Sequence, residues 1–599
     1  MNRNDYPRPQ LVRENWLNLN GEWQFDFDDD NIGQKEQWYD GSKAFEKNIQ
    51  VPFAYQTKLS GIDDQTPHER VWYQRNFLQS KNVDKKYLLH FGAVDYQADV
   101  YINGKHVCFH EGGHTSFSVD ITDVLVDGEN QLTVFAYDPL KDETIPRGKQ
   151  FWEAESRSIW YTNTTGIWQT VWLEEVADCY LSQLKLTPML DEGKVNLKAE
   201  LNQIVEDITL AFQISFKEEV IAKGQVAFIN GKVDFSVDLF SEMIFRHNHH
   251  GAGMTWSPET PNLFDVTLQL LKDELAIDQV QSYFGLRKIH QENGMVYLNN
   301  KPYYQKLVLD QGYWPESLLT APTDEAFIKD IELAKEMGFN GCRKHQKTED
   351  PRFLYWADQM GFLVWGECAA APFYTTDAVN RLMAEWAEII DRDYNHPCIV
   401  TWVPLNESWG IPDVQRNRQQ AHFSQTMYHY LHAIDPTRLV ISNDGWAMTE
   451  TDICAIHNYA HGQEDEKQKY QYFVENLKTK ENILGAPSTC WNIYADGFEN
   501  RGEPVMLTEF GGIGFDVSGQ PGWGYTSVEN KEDYIKDYQR IMDAVYASEI
   551  LWGYCYTQLT DVEQEINGIV TYDRQPKCDL SIIKKINDSY HVPVIKQNV

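Results

Sequence analysis

The 599-residue chain reads as three domains, two β-sandwiches followed by a (β/α)8 barrel, and three observations carry that reading. The length is too great for one ordinary domain, and at roughly 100–200 residues each it suggests about three to five. The first 286 residues are a run of short strand-like segments broken by turn signals. After "YFGLRKI" the rhythm changes, and strand-like runs alternate with helical patterns to the end of the chain.

Residues 1–178 hold the first sandwich. "KYLLHFGAVDYQADVYING" alternates apolar and polar residues and turns at Asn103-Gly104, and "QLTVFAYDP" and "GIWQTVWLEEV" repeat the pattern. Several short strands with Gly, Asn and Asp between them predict a β-sandwich. Residues 179–286 continue in the same way with "LSQLKLTPML", "KVNLKAELNQ" and "LFDVTLQLL". A stretch of that size suits an immunoglobulin-like sandwich.

Eight strand-like runs follow in residues 287–599: 303–314, 339–345, 362–367, 399–407, 438–446, 453–459, 504–512 and 550–558. Segments 323–337 and 531–547 place apolar residues three and four apart, as amphipathic helices do. An open α/β sheet shares the alternation, but a count of eight favours closure into a barrel, whose active sites lie at the C-terminal ends of the strands. Polar residues stand at those ends: Asp310, Arg343 with His345, Glu367, Asn406 with Glu407, Asn443 with Asp444, His457 with Tyr459, and Glu509.

Glu407 ends the fourth run and Glu509 the seventh, so the two side chains can meet across the barrel mouth. A carboxylate at the end of a core segment costs desolvation energy unless it is paired or used. Two carboxylates flanking one cavity are the equipment of glycoside hydrolysis, one protonated to release the leaving oxygen and one ionised to attack. His345 and His457 are candidates for sugar hydroxyls, as are Asp310 and Trp446, with Trp552 as a floor beneath the sugar. Asp444 and Glu367 read as supports behind these groups.

Composition narrows the partners. The formal charge is −36 with a pI near 4.8, and such a surface repels nucleic acid and anionic membrane. The first residues lack the apolar segment of a secretion signal, and no run approaches the ~20 apolar residues that span a bilayer. Nine dispersed cysteines without a CxxC pair point to reduced thiols, so a cytoplasmic protein is expected. There is no HExxH, no zinc-type Cys/His cluster, no nucleotide-binding glycine motif and no EF-hand loop, so neither cofactor nor metal is expected. "HEGGHTSFS" carries Ser and His without the Gly-x-Ser-x-Gly of a serine esterase.

Taken in order, "VPFAYQTKLSGI", "VWYQRNF", "HEGGHTSFSVDIT", "TGIWQTVWLE", "FGLRKI", "GFNGCRKH", "NHPCIVTWVPLNESWG", "PVMLTEFGG" and "NGIVTYDRQPK" make the whole chain resemble glycoside hydrolase family 2. The resemblance implies a jelly-roll, sugar-binding type of N-terminal sandwich. It places the acid/base on Glu407 and the nucleophile on Glu509, with retention through a covalent glycosyl-enzyme. It also implies that Asn406 binds the sugar 2-hydroxyl, that Tyr459 orients the nucleophile and that Arg343 keeps it ionised. The partner is then a small glycoside or oligosaccharide, and self-association into homo-oligomers is common in the family.

The sugar is read less directly. Glucuronidases of the family carry Asn-x-Lys after the eighth strand, and "VEQEINGIVTYDRQPK" has no such Lys before Gly568. Large β-galactosidases carry a His after the nucleophile, which "EFGG" lacks. A β-galactosidase-like exo-enzyme is the leading expectation, with a β-glucuronidase, a β-mannosidase or an α-L-arabinopyranosidase as alternatives. An endo-acting glycanase and a carbohydrate-binding protein with a relic barrel are the rivals. Keeping both Glu407 and Glu509 argues against the relic.

Overall fold

The computed structural model describes residues 5–240, 253–485, 491–517, 519 and 521–590; Cys490 lies outside them. The first domain packs two antiparallel sheets face to face. One has six strands in the order Lys47–Val51, Gly21–Phe27, Arg70–Gln79, Gly128–Tyr137, Gln97–Ile102 and Lys105–Glu111. The other has four: Trp16–Asn18, Val171–Ala177, Lys85–Phe91 and Phe117–Asp120. Trp23 and Phe25 turn inward while Glu22 and Gln24 face water, the period-2 alternation of a sheet with one buried face. They meet Leu89, Phe91 and Leu173 of the opposite sheet in one core. At Asn103-Gly104 both residues have positive φ, 51° and 77°, the geometry that tight hairpins take from Asn-Gly.

The second domain is an immunoglobulin-like sandwich. Its described strands form a sheet of three (Leu181–Met189, Lys194–Leu201, Lys232–Asp238) and a sheet of four (Glu219–Ala227, Ile208–Phe216, Phe264–Lys272, Leu275–Phe284). Leu186, Leu197, Ile214, Leu268 and Phe284 fill the space between them.

The barrel supplies eight parallel strands: β1 (Gln305–Asp310), β2 (Gly341–Lys344), β3 (Leu363–Glu367), β4 (Ile399–Val403), β5 (Leu439–Val440), β6 (Cys454–His457), β7 (Val505–Gly511) and β8 (Leu551–Thr557). They pair in the order β5-β4-β3-β2-β1-β8-β7-β6, so the first strand is joined to the last. Nearly every residue in them is buried, as parallel strands covered on both faces require. Several barrel helices start at side-chain caps. Thr375 accepts from the N–H of Ala378 at the head of α1 (Thr376–Asp393), and Asn530 from that of Asp533 at α2 (Lys531–Tyr546). In α1 the buried Leu382, Trp386, Ile389 and Ile390 share one face, the 3.6-residue period that packs a helix on a sheet.

The repeat is interrupted once. The described residues 441–453, between β5 and β6, form bends and isolated bridges and no helix. Here Asp452 takes over part of the pairing: its carboxylate accepts from the Val440 N–H at 2.7 Å, and its own N–H donates to the Val440 carbonyl at 3.0 Å.

A loop of the first sandwich reaches over the barrel mouth. The N–H groups of Arg147 and Gly148 donate to the Ala370 carbonyl at 3.0 Å. On the far side, Gln564 Nε2 donates to the carbonyls of Ser158 and Trp160 at 2.8 and 2.9 Å. The loop is therefore anchored to the exits of both β3 and β8.

Candidate active site

Arg343, fully buried on β2, organises the mouth. Its Nε donates to Glu367 Oε1 at 2.8 Å, one terminal nitrogen to Glu509 Oε1 at 3.1 Å and to the Thr508 carbonyl at 2.8 Å. The other reaches Asn406 Oδ1 at 3.0 Å and Asp444 Oδ2 at 3.1 Å. One planar guanidinium thus joins groups from the ends of β2, β3, β4, β5 and β7, a geometry that suits Arg and not Lys. The other charged partner is His457 at the end of β6, whose Nδ1 lies 2.8 Å from Glu407 Oε1 and 3.4 Å from Glu509 Oε2.

These contacts set the ionisation. Burial alone would raise the pKa of Glu509, but His457, Arg343 and His345 outweigh it and hold the carboxyl down at about 2. Burial pulls His457 down, yet Glu509, Asp444 and Glu407 push it up to about 10, so the imidazole is a cation at neutral pH. Asp444 is held at about 2 against its burial by Arg343 and His457, and Glu367 is lowered by Arg343 and His345. Tyr459 is driven well above its ordinary range by burial and by Glu509. It stays a phenol, and its OH donates to Glu509 Oε2 at 2.9 Å while meeting Thr557 Oγ1 at 2.8 Å.

Glu407 and Glu509 face each other around His457, with one oxygen of each and the imidazole nitrogen all within 4.8 Å. Retaining glycosidases place their two carboxyl groups about 5–5.5 Å apart, against about 6.5–9.5 Å in inverting ones. The same three groups are spaced as metal ligands are; a cation there would tie up both carboxylates. Glu407 is the more open of the two, its side chain 20 % exposed against 6 %.

Local structure explains how Glu407 is presented. Strand β4 ends at Val403, four residues short of Glu407, so the carboxylate stands on a turn beyond the strand. Glu407 and Ser408 both have left-handed backbones, φ 47° and 60°, which non-glycine residues adopt at a cost of about 1–3 kcal/mol each. The turn is held by Glu407 N–H to the Asp444 carbonyl and Ser408 N–H to Asn443 Oδ1, both 2.9 Å. Gly445 (φ 87°) lets the β5 exit lie flat on His457, since a Cβ there would meet the imidazole at 2.3 Å.

Of the remaining sequence candidates, Asn406 and Trp446 offer buried donors, Nδ2 and Nε1, that find no partner among the described residues. His345 joins the charge network, with Nδ1 3.0 Å from Glu367 Oε2. Two candidates are not brought to the carboxylates. Asp310 is tied to Lys344 at 2.7 Å in an ion cluster with Glu349 and Lys347. Trp552 is buried near the start of β8, five residues below Thr557, at the end of the barrel away from the mouth. Two further aromatic residues stand by these groups: Tyr525 stacks on Tyr459 at 3.5 Å between ring centres, and Trp160 meets Trp409 edge-on at 5.6 Å. Neither sits at a strand end, so the barrel pattern gave no signal for them.

Residues 17–173 match the sugar binding domain of glycosyl hydrolases family 2, residues 179–287 the family's central domain, and residues 290–592 its TIM barrel domain. The chain belongs to glycosyl hydrolase family 2. As a family 2 protein it is a glycoside hydrolase.

Among curated relatives, a putative β-glucuronidase of Formosa agariphila is 28 % identical over 386 residues, 61 % of this chain and 44 % of its own length. A β-glucuronidase of Paenibacillus borealis is 23 % identical over 97 % of this chain and 98 % of its own. Family 2 β-galactosidases also match, over 39 to 54 % of their own lengths. Among solved structures, a β-glucuronidase from an uncultured Clostridium shares the fold with TM-score 0.77 and 21 % identity, covering 97 % of this chain and 99 % of its own. Among the described residues, no helix of this family 2 chain is long and apolar enough to cross a membrane.

Proposed function

We propose that the chain is a retaining exo-glycosidase acting on terminal β-glycosides, with Glu509 as nucleophile and Glu407 as acid/base. The observation that carries this is the pair itself: two carboxylates with oxygens within 4.8 Å, one of them held ionised by Arg343 and His457. In the first step Glu407 gives its proton to the glycosidic oxygen as Glu509 attacks the anomeric carbon and the aglycone leaves. In the second, Glu407 removes a proton from water, which attacks the same carbon and releases Glu509. Tyr459 and Arg343 hold the nucleophile in place, and the unpartnered Asn406 Nδ2 is the donor for the sugar 2-hydroxyl.

For the sugar, the relatives favour a β-glucuronide over the β-galactoside that the sequence alone suggested. Only glucuronidases among the relatives named above match end to end. A second reading, a neutral β-glycoside, rests on one local observation. Family glucuronidases carry an Asn-x-Lys after the eighth strand, whereas the stretch after β8 here has no such Lys before Gly568, and its Glu563 and Glu565 accept from the Thr162 N–H and the Tyr161 OH. Lys577 nearby is committed to Asp561 at 2.7 Å. Initial rates on p-nitrophenyl β-glucuronide, β-galactoside, β-glucoside, β-mannoside, β-xyloside and α-L-arabinopyranoside, with Glu509→Ala as control, decide the matter. A clear preference lost in Glu509→Ala supports the proposal and names the sugar. Turnover that survives Glu509→Ala would overturn it.

A further inference from the structure

Next to the turn that carries Glu407 lies a cavity of about 430 Å³, within the usual ~300–1,000 Å³ of small-molecule sites. One wall is the sandwich loop, with Trp152 and Trp160; the other is the barrel mouth, with Trp409, Phe373, Ala370 and Ala371. Trp409 is two residues beyond Glu407. Its ring meets Trp160 at 5.6 Å and 76°, and Trp160 meets Trp152 at 5.3 Å and 66°. The three indoles form a continuous aromatic wall that starts on the turn carrying Glu407.

This wall is not needed for the core. Trp152 is 36 % and Phe373 49 % exposed, so both leave apolar surface in water where a ligand would cover it. Nor is the wall loose. Anchors at Ala370 and Gln564 hold the loop at both ends, and the Trp523 indole adds a third, to the Ser158 carbonyl at 2.9 Å. The cavity is therefore formed before substrate arrives.

We infer that this cavity is the subsite for the leaving group, and that it selects a flat aromatic aglycone. The inference rests on Glu407 being the acid. That carboxyl must stand over the glycosidic oxygen, so the group beyond the oxygen departs past Glu407 toward the turn carrying Trp409. Flat ring faces at right angles favour an aromatic ring held face-on by one indole and edge-on by the next.

The test uses two measurements on the full chain. The first is binding of 2-naphthylmethanol to Glu509→Ala, followed by tryptophan fluorescence, and needs no hydrolysis. Quenching that is saturable and is weakened about tenfold by adding Trp160→Ala is expected, the factor that about 1.4 kcal/mol of lost ring contact represents. The second compares kcat/KM for the 2-naphthylmethyl and methyl β-glycosides of the preferred sugar. Trp160→Ala should cut the preference for the naphthyl substrate at least fivefold, chiefly through KM, and Trp160→Phe should restore most of it. Trp152→Ala, at the exposed rim, repeats the test should Trp160→Ala fail to fold. Unchanged binding and unchanged preference would overturn the inference. So would an effect confined to substrates that carry an extra ring on the non-reducing side. Naphthyl binding in a protein that hydrolyses no glycoside would sink the glycosidase proposal and leave an aromatic-binding cavity standing.

Discussion

His457 Nδ1 and Glu407 Oε1 lie 2.8 Å apart, and the same nitrogen is 3.4 Å from Glu509 Oε2. One imidazole therefore touches both carboxylates assigned to the reaction. Its raised pKa, about 10, has a consequence for stability. A His whose folded pKa lies above its unfolded value of about 6.5 stabilises fully below pH 6.5 and loses that contribution as pH rises toward 10. The melting temperature of the wild type should fall through this window, and His457→Gln should show a shallower fall. Identical slopes would contradict the assignment of His457 as a buried cation.

Glu509 acts in the opposite direction. Its folded pKa of about 2 lies below the unfolded value of about 4.3, so its contribution is present above pH 4.3 and is lost as pH falls toward 2. Glu509→Gln should flatten the acid side of the stability curve between pH 4.5 and 2, as read by circular dichroism. An unchanged acid limb would mean that Glu509 is not held by Arg343 and His457.

Removing Arg343 would leave Glu367, Asp444 and Glu509 facing one another without it. Breaking a buried charge pair costs roughly 3–5 kcal/mol, so Arg343→Ala should unfold the barrel at lower urea than the wild type. Arg343→Lys should fold but remain impaired in turnover, because an ammonium cannot reach five groups at once. Full activity in Arg343→Lys would show that charge alone, without the fork, suffices.

Tyr459→Phe removes the donor to Glu509 Oε2 and leaves the ring that Tyr525 covers. A hydrogen bond to a charged group is worth about 1.5–3 kcal/mol. Turnover should therefore drop by about tenfold to a hundredfold with little change in melting temperature. A loss of stability without a loss of kcat would assign Tyr459 to packing.

The sequence carried the barrel because most of its eight strands are short apolar runs, and buried parallel strands read that way whatever their neighbours. It carried Glu407 and Glu509 because a carboxylate closing such a run has few uses. What it could not carry were facts fixed by neighbours. Asp310 has the right strand-end position, but its register partner across β1 and β2 is Lys344, which claims it. Trp552 is on the right strand at the wrong height: five residues at about 3.3 Å each put it some 16 Å from Thr557. Trp160 reaches the mouth only because one domain docks on another, and no periodicity within residues 1–178 reports that. The missing helix between β5 and β6 was hidden by the count of strands, which is still eight.

As the nucleophile proposed above, Glu509 forms a covalent bond to the sugar. The most direct test is to trap that species with a 2-deoxy-2-fluoro glycoside bearing a dinitrophenyl leaving group, using the sugar the substrate panel selects. The electron-withdrawing fluorine slows both steps and the good leaving group restores the first, so the intermediate accumulates. Peptide mass spectrometry should find one fluorosugar on the segment PVMLTEFGG, at Glu509. Inactivation with the sugar on Glu407, or release of the dinitrophenol with no adduct and with inversion at the anomeric carbon, would show that Glu509 is not the nucleophile.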